Sequence, residues 1–198
     1  MRPQSITKEM IVDAALSVIH AKGVAGATTR AIVKAVPCSE GSLYVHFTDR
    51  TQLLVAVIRK VVGGFSKSLS LLDGQEGNGH DPYERLVALM LEGLQFYRAA
   101  LPVLAGVISD PQVLLAQQEA FSALDRGPKT SRGTIAAFIS KEIKQHRLSA
   151  SINPDSAAAM MLYVPLGRAF EERFTGRRAV GSDVSFCKQS VATILQIG

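Results

Sequence analysis

The chain has 198 residues, of which 47% are apolar and 20% charged, an ordinary composition for a globular protein of one or two domains. Its longest apolar runs, 100–108 and 157–167, are shorter than the about 20 residues of a membrane-spanning helix, so we expect no membrane association and a cytoplasmic protein. Cys38 and Cys187 lie far apart and the four histidines are scattered, which predicts no disulfide framework, no metal site and no bound cofactor.

The charge is unevenly distributed along the chain. Residues 1–60 hold eight Lys and Arg against four Asp and Glu, a net charge of +4, whereas residues 61–198 carry a net charge of +1. A basic excess confined to the first third indicates a polyanionic partner. A solvated basic surface explains the same distribution, because an excess of this size is small.

Three helices are predicted in this basic third. Apolar residues at i, i+3, i+4, i+7 and i+8 predict an amphipathic helix over 7–22, which Gly23 ends. A short second helix is expected over 29–36 and a third over about 40–46. Pro37 stops the second helix, because proline disfavours the helical conformation in the residue before it.

A long fourth helix is predicted to begin at Asp49, with Gln52 placed as in a capping box. Its apolar stripe extends for about seven turns and consists of Leu54, Val57, Ile58, Val61, Phe65, Leu69 and Leu72. Gly63 and Gly64 weaken the middle of this helix and favour a bend. A loop is expected at 73–81.

Prolines and glycines divide the rest of the chain into further helices. The predicted helices run from 82 to about 99, from Pro102, from 110–111, over about 130–147, over 154–175 and over 182–197. No alternating strand pattern occurs. The sequence therefore predicts an all-α fold of about nine or ten helices.

The second and third helices have the spacing of a helix-turn-helix, in which one helix lies in the DNA major groove and the other crosses the backbone. Leu43 and Phe47, four residues apart, share one face and are expected in the core. Tyr44, His46 and Arg50 are able to donate hydrogen bonds to phosphates. The pattern thus gives the basic excess a specific partner, DNA.

Residues 7–54 resemble the DNA-binding head of the TetR family of bacterial transcriptional regulators. The similarity rests on Gly23, Thr28 and Ile32, and most specifically on the Leu-Tyr-x-His-Phe sequence at 43–47. The rest of the chain agrees with the family only in its length and helix count. The resemblance implies a homodimer that binds a palindromic double-stranded DNA operator, usually represses, and releases DNA when a small-molecule effector enters the body.

The same resemblance implies a division into a helix-turn-helix DNA-binding domain at 1–50 and a helical effector-binding and dimerisation domain at 51–198. The last two helices are expected to form the dimer interface, which the nearly all-round apolarity of 157–167 supports. Pro165 is expected to kink its helix.

The family's DNA contacts transfer to matching positions of this sequence. The residues expected to brace on phosphates or touch a base are Thr28, Thr29 and Arg30. Those expected to face the groove are Ser39, Glu40, Ser42 and Val45. Tyr44, His46 and Arg50 are expected to grip the DNA backbone, and Gly41 to let the two backbones approach.

Several of these residues have a second interpretation, or depart from the family pattern. Tyr44 also fits a half-buried packing residue, and His46 a helix-end histidine that the helix dipole favours. Glu40 either accepts from a cytosine amino group or complements the helix N-terminus. Pro37 replaces the glycine usual in the turn, so the turn is expected to differ locally. Val45 stands where a polar reader is frequent and fits a thymine methyl group.

The body is expected to enclose a pocket for a largely apolar effector. The candidate lining residues are Phe65, Leu69, Met90, Leu94, Phe96, Phe121, Phe138, Met160 and Tyr163. Residues of these types at helical spacing are equally typical of an ordinary core.

An enzyme is not expected, because the sequence offers no nucleophile–base pair, metal cluster, paired carboxylates or phosphate loop. Two alternatives to an active regulator stay open. One is a family member with impaired DNA binding, because of Pro37. The other is a helical ligand-binding or interaction module without DNA activity.

Overall fold

A computed structural model describes residues 6–36, 38–70, 72, 81–123 and 127–197. All regular secondary structure in these residues is helical, which confirms the all-α prediction. Their nine helices are α1 (Lys8–Gly26), α2 (Thr29–Ala35), α3 (Glu40–His46), α4 (Arg50–Ser70), α5 (Pro82–Ser109), α6 (Pro111–Ala123), α7 (Pro128–Lys144), α8 (Pro154–Thr175) and α9 (Asp183–Ile194). Pro37 and most of the loop predicted at 73–81 lie outside the described residues.

The first helices begin and end where short polar residues and glycine predict. Thr28 Oγ1 accepts from the Ala31 N–H at 3.2 Å and caps α2, and Asp49 Oδ1 accepts from the Gln52 N–H at 2.8 Å at the start of α4. Gly23 interrupts α1 with φ 72°, a left-handed conformation that favours glycine. The helical ladder resumes for three more residues before α1 ends at Gly26.

The fifth helix differs from the sequence-based prediction. A helix end near 99 and a new start at Pro102 were expected, and this is wrong, because α5 continues through Pro102 to Ser109. Pro102 has no N–H to offer the Arg98 carbonyl. The flanking Ala100 and Val103 are each only 1% exposed, so burial holds the helix together across the proline.

The uninterrupted α5 is longer than the apolar runs of the sequence suggested, and its length bears on the expectation of no membrane-spanning helix. It is the one described helix long and apolar enough to cross a membrane by length and composition, with a mean hydropathy of 1.3 over its best window. Leu86, Met90 and Leu94 on this helix are fully buried in the protein. Core packing therefore accounts for its apolar character.

The chain forms two compact units, Met1–Val62 with Ala99–Ala123, and Gly63–Arg98 with Leu124–Gly198. Both α4 and α5 run from one unit into the other, and α4 does so at the Gly63–Gly64 pair. The functional division at residue 50 stays a prediction.

The first unit has one hydrophobic core shared by α1 to α4 and the adjoining ends of α5 and α6. Val103, Val107 and Val113 from the latter two helices pack into it. Val24, just after the interruption of α1, approaches α5 so closely that a side chain at Gly106 would overlap it. Glycine is therefore required at this contact.

The second unit is built from the C-terminal part of α4, the first part of α5, and α7 to α9. The helix α8 packs against both α7 and α9 and continues through Pro165. Pro165 is buried beside Gly93 of α5, where an added Cβ atom would lie 3.7 Å from Pro165 Cγ.

We predict that Gly106→Ala lowers the free energy of unfolding by about 1–3 kcal/mol, because the new Cβ atom would lie 2.1 Å from Val24 Cγ2. The matched control is Gly133→Ala in α7, where nothing lies within 4 Å of the added atom. This control should raise the free energy of unfolding by about 0.5–1 kcal/mol. Urea denaturation followed by circular dichroism measures both. An unchanged or increased stability of Gly106→Ala would contradict the contact between α5 and Val24.

Candidate DNA interface and surrounding sites

The inner face of α3 anchors it to the first unit. Leu43 is 3% and Phe47 1% exposed, as their spacing predicted, and Ile32 of α2 is 2% exposed. Lys8 of α1 lies over the Phe47 ring, 5.0 Å from its centroid. These contacts fix the rotation of α3 about its axis, and so decide which side chains face outward.

The outer face of α3 carries the exposed residues Glu40, Gly41, Tyr44 and Val45. Val45 is 82% and Tyr44 52% exposed. Within the described residues the Tyr44 hydroxyl has no hydrogen-bond partner. This short helix therefore presents an apolar group and a free hydroxyl side by side on the surface.

Three of the predicted DNA contacts take part in capping their own helices. Thr28 caps α2, as described above. Ser39 Oγ accepts from the Ser42 N–H at 3.1 Å and lies 2.9 Å from Ser42 Oγ, which caps α3. Thr29 is half-buried and Arg30 is exposed at the start of α2.

His46 is bound within the protein. Its Nε2 donates a hydrogen bond to the Ile6 carbonyl at 3.1 Å, and its side chain is half-buried at the end of α3. This contact joins the end of α3 to the segment before α1, 40 residues earlier. The observed contact is one that neither helix-end electrostatics nor phosphate binding had predicted.

Arg50 is bound within the protein as well. Its Nη2 donates to the Val24 carbonyl at 2.8 Å, and its Nη1 lies 3.8 Å from Asp110 Oδ2. Asp110 Oδ1 in turn accepts from the Gln112 N–H at 3.1 Å and caps α6. Arg50 therefore connects the start of α4 to the end of α1 and to the junction of α5 and α6.

A second ionic contact joins α4 to α1. Lys60 Nζ lies 2.6 Å from Asp13 Oδ1 and 3.3 Å from Glu9 Oε1. Hydrogen bonding to Asp13, and then to Glu9, raises the pKa of Lys60. Sequence reasoning missed this cluster, because nothing in the spacing of residues about 50 positions apart signals a contact.

The predicted ligand-lining residues do not form one group. Five are buried in the second unit, namely Phe65, Leu69, Met90, Leu94 and Phe138. Phe96 stacks on Phe65 with ring centroids 5.0 Å apart. Met160 and Tyr163 lie on the surface, 42% and 55% exposed, and Phe121 is half-buried in the first unit.

A groove lies between the end of α4 and the start of α5 in the second unit. It has a volume of about 420 Å³, and its lining includes Leu72, Leu89, Lys67 and Arg85. Arg85 donates to the Leu72 carbonyl at 3.0 Å and stacks over Phe138. A volume of this size is within the range of small-molecule sites.

The surface of α8 carries an apolar stripe. Met160, Tyr163, Phe170 and Phe174 are exposed, and Phe170 and Phe174 stack with centroids 5.8 Å apart. Gly167 lies among them on the same face of the helix, with open space around it. The stripe spans about 21 Å of helix.

Among the described residues, no group of three or more histidine, cysteine and carboxylate side chains is placed to hold a metal ion.

We predict that Arg50→Ala lowers the free energy of unfolding by about 1 kcal/mol, because the Val24 carbonyl loses its charged donor and keeps only the Ala27 N–H at 3.1 Å. Arg30→Ala is the matched control, since Arg30 is exposed and should change stability by less than about 0.5 kcal/mol. Urea denaturation of the two variants measures the difference. Equal stability of both would show that the Arg50 contacts do not hold the head together.

Similarities to known proteins agree with this geometry. Residues 11–57, from α1 into α4, match the family model described as bacterial regulatory proteins, tetR family. Among curated proteins, none matches the chain by sequence.

Solved structures of transcriptional regulators share the whole fold. A regulator from Rhodococcus sp. Rha1 is 20% identical and superimposes with a TM-score of 0.72 over 96% of this chain and 97% of its own. SmeT, the repressor of the Stenotrophomonas maltophilia multidrug efflux pump SmeDEF, is 18% identical and superimposes with a TM-score of 0.71 over 96% of this chain and 89% of its own. FadR from Bacillus subtilis, solved with stearoyl-CoA, is 13% identical, with a TM-score of 0.68 over 96% of this chain and 98% of its own. The helix-turn-helix region at residues 11–57 thus matches the tetR family of bacterial regulatory proteins, and the fold of the chain is that of solved transcriptional regulators.

Proposed function

We propose that the protein is a cytoplasmic transcriptional repressor that binds a palindromic DNA operator as a homodimer and is released by a small molecule. The observation that carries the DNA-binding part is the outer face of α3. Its inner face is fully buried, while Tyr44 and Val45 project into solvent. A free hydroxyl and an apolar side chain on a short exposed helix fit a phosphate and a thymine methyl group.

Within this proposal the predicted DNA contacts have two kinds of role. Tyr44, Val45, Glu40 and Arg30 are exposed and are assigned to DNA directly. Arg50 is assigned to positioning α3 and α4, because its guanidinium already binds the Val24 carbonyl.

The same division applies to the remaining predicted contacts. His46 is assigned to positioning, because its Nε2 binds the Ile6 carbonyl. Thr28 keeps a hydroxyl proton that is able to meet a phosphate, and so does whichever of Ser39 and Ser42 accepts in the hydrogen bond between their hydroxyls.

The apolar stripe on α8 supports the homodimer. An apolar stripe along an exposed helix is what a helix-bundle interface needs, and Gly167 allows a second helix to approach closely. The outward face of α9 is more polar, with Ser185, Lys188 and Gln189 exposed. We therefore place the centre of the interface on α8, with α9 at its edge.

The groove between α4 and α5 is the proposed entrance for the effector. The predicted lining residues Phe65 and Met90 are packed core and do not line this groove, so an effector must part them or bind in the groove itself. The assay is release of the DNA complex by candidate compounds, compared with the Leu89→Trp variant, which fills the groove. An effector whose dose response is the same for both proteins would contradict this location.

The function is tested by selecting duplexes from a random pool with the purified protein at a low and a higher salt concentration. We expect a palindromic site whose affinity falls steeply as salt rises, because phosphate contacts release counterions. Tyr44→Phe should weaken binding to the selected site by about tenfold without changing stability. Salt-sensitive but sequence-independent binding would support the impaired family member, and no binding at either salt would exclude an operator-binding regulator.

We predict that Tyr163→Glu shifts the protein from dimer to monomer in sedimentation equilibrium, because a charge is then buried in the proposed interface. Ile108→Glu is the matched control, since Ile108 is 70% exposed and apolar but lies on α5. It should leave the oligomeric state unchanged. A Tyr163→Glu protein that remains dimeric would place the interface elsewhere.

A further inference from the structure

Several arginines surround a cleft where α8 ends. The cleft has a volume of about 280 Å³, and its polar lining consists of Arg98 from α5 and Glu172, Arg173, Arg177 and Arg178 from the end of α8 and the residues after it. It lies wholly within the second unit. Nothing in the proposed DNA, dimer or effector sites uses these side chains.

A charge network forms the floor of this cleft. Arg98 Nε and Nη2 donate to the two carboxylate oxygens of Glu172, both at 2.8 Å, and Nη1 and Nη2 donate to Asp183 at 2.5 and 2.8 Å. Arg168 lies 3.6 Å from Glu172 and 3.4 Å from Asp183. Two arginines and two carboxylates therefore balance one another, and Arg98 adds no net charge to the cleft.

The three outer arginines are left without such compensation. Arg173, Arg177 and Arg178 are exposed, and none forms an ion pair with another residue of the described chain. Guanidinium groups bind oxyanions through paired N–H donors, and three around one concave surface suit a ligand that carries more than one negative charge.

The backbone holds these arginines beside one another. Gly176 takes φ 68°, which ends α8 and turns the chain so that Arg177 and Arg178 line the same cleft as Arg173. Glu172 Oε1 accepts from the Ala179 N–H at 3.3 Å, which ties the returning segment to the floor. The cleft is thus shaped before any ligand arrives.

We propose that this cleft binds a small oxyanion carrying two or more negative charges on phosphoryl or carboxylate groups. Its volume of about 280 Å³ suits a small molecule. The three uncompensated arginines require that the occupant be negatively charged. This cleft is separate from the groove between α4 and α5.

Isothermal titration calorimetry of the full chain with pyrophosphate and with citrate tests the proposal at constant ionic strength. We expect saturable binding of at least one anion, weakened about tenfold or more in the Arg177→Ala/Arg178→Ala protein. The matched control is Lys129→Ala/Arg132→Ala, which removes the same charge from exposed positions on α7 and should bind as the unaltered protein does.

The two anions distinguish the chemistry. Tighter binding of pyrophosphate assigns the cleft to phosphoryl groups, and tighter binding of citrate assigns it to carboxylates. Absence of saturable binding by both would overturn the proposal, as would an equal loss of affinity in the α7 control. Urea denaturation of each variant verifies that it is folded.

Discussion

The burial of Leu43 and Phe47 is the constraint on which the proposed DNA interface depends. Helix α3 has only seven residues and would not be stable alone, so its form and rotation come from packing against the first unit. With these two side chains at most 3% exposed, Tyr44 and Val45 must point away from the core. A helix rotated by about half a turn would bury Val45 and expose Leu43.

Polar contacts from the neighbouring helices hold this arrangement in place. The Arg50, His46 and Lys60 side chains each reach a segment at least 26 residues away, and together they join α4 to α1 and α3 to the segment before α1. Arg50 also meets Asp110, the cap of α6. A displacement of the start of α6 would therefore alter the contacts of Arg50 with the end of α1 and at the start of α4, which flank the helix-turn-helix.

Local patterns in the sequence predicted most of the fold. The caps at Thr28 and Ser39, the interruption at Gly23 and the buried faces of α1 to α4 follow from residue type and spacing. Pro102 misled the prediction, because its helix-breaking tendency is local whereas the burial that overrides it is tertiary.

The same distinction explains which site residues were predicted. Exposure of Val45 follows from periodicity, but the carbonyl partner of His46 comes from packing between distant segments.

The most direct test maps the position of α3 on DNA. An iron chelate is attached at Val45→Cys in a Cys38→Ser background, where Cys187 stays unreactive because burial raises its pKa to about 11. We predict strand cleavage in two clusters within the major groove, related by the operator's symmetry. A chelate at Leu115→Cys, 57% exposed on α6, is the control and should not give them. Cleavage from residue 45 that is absent, or the same as from the control, would contradict the assignment of α3 as the reading helix.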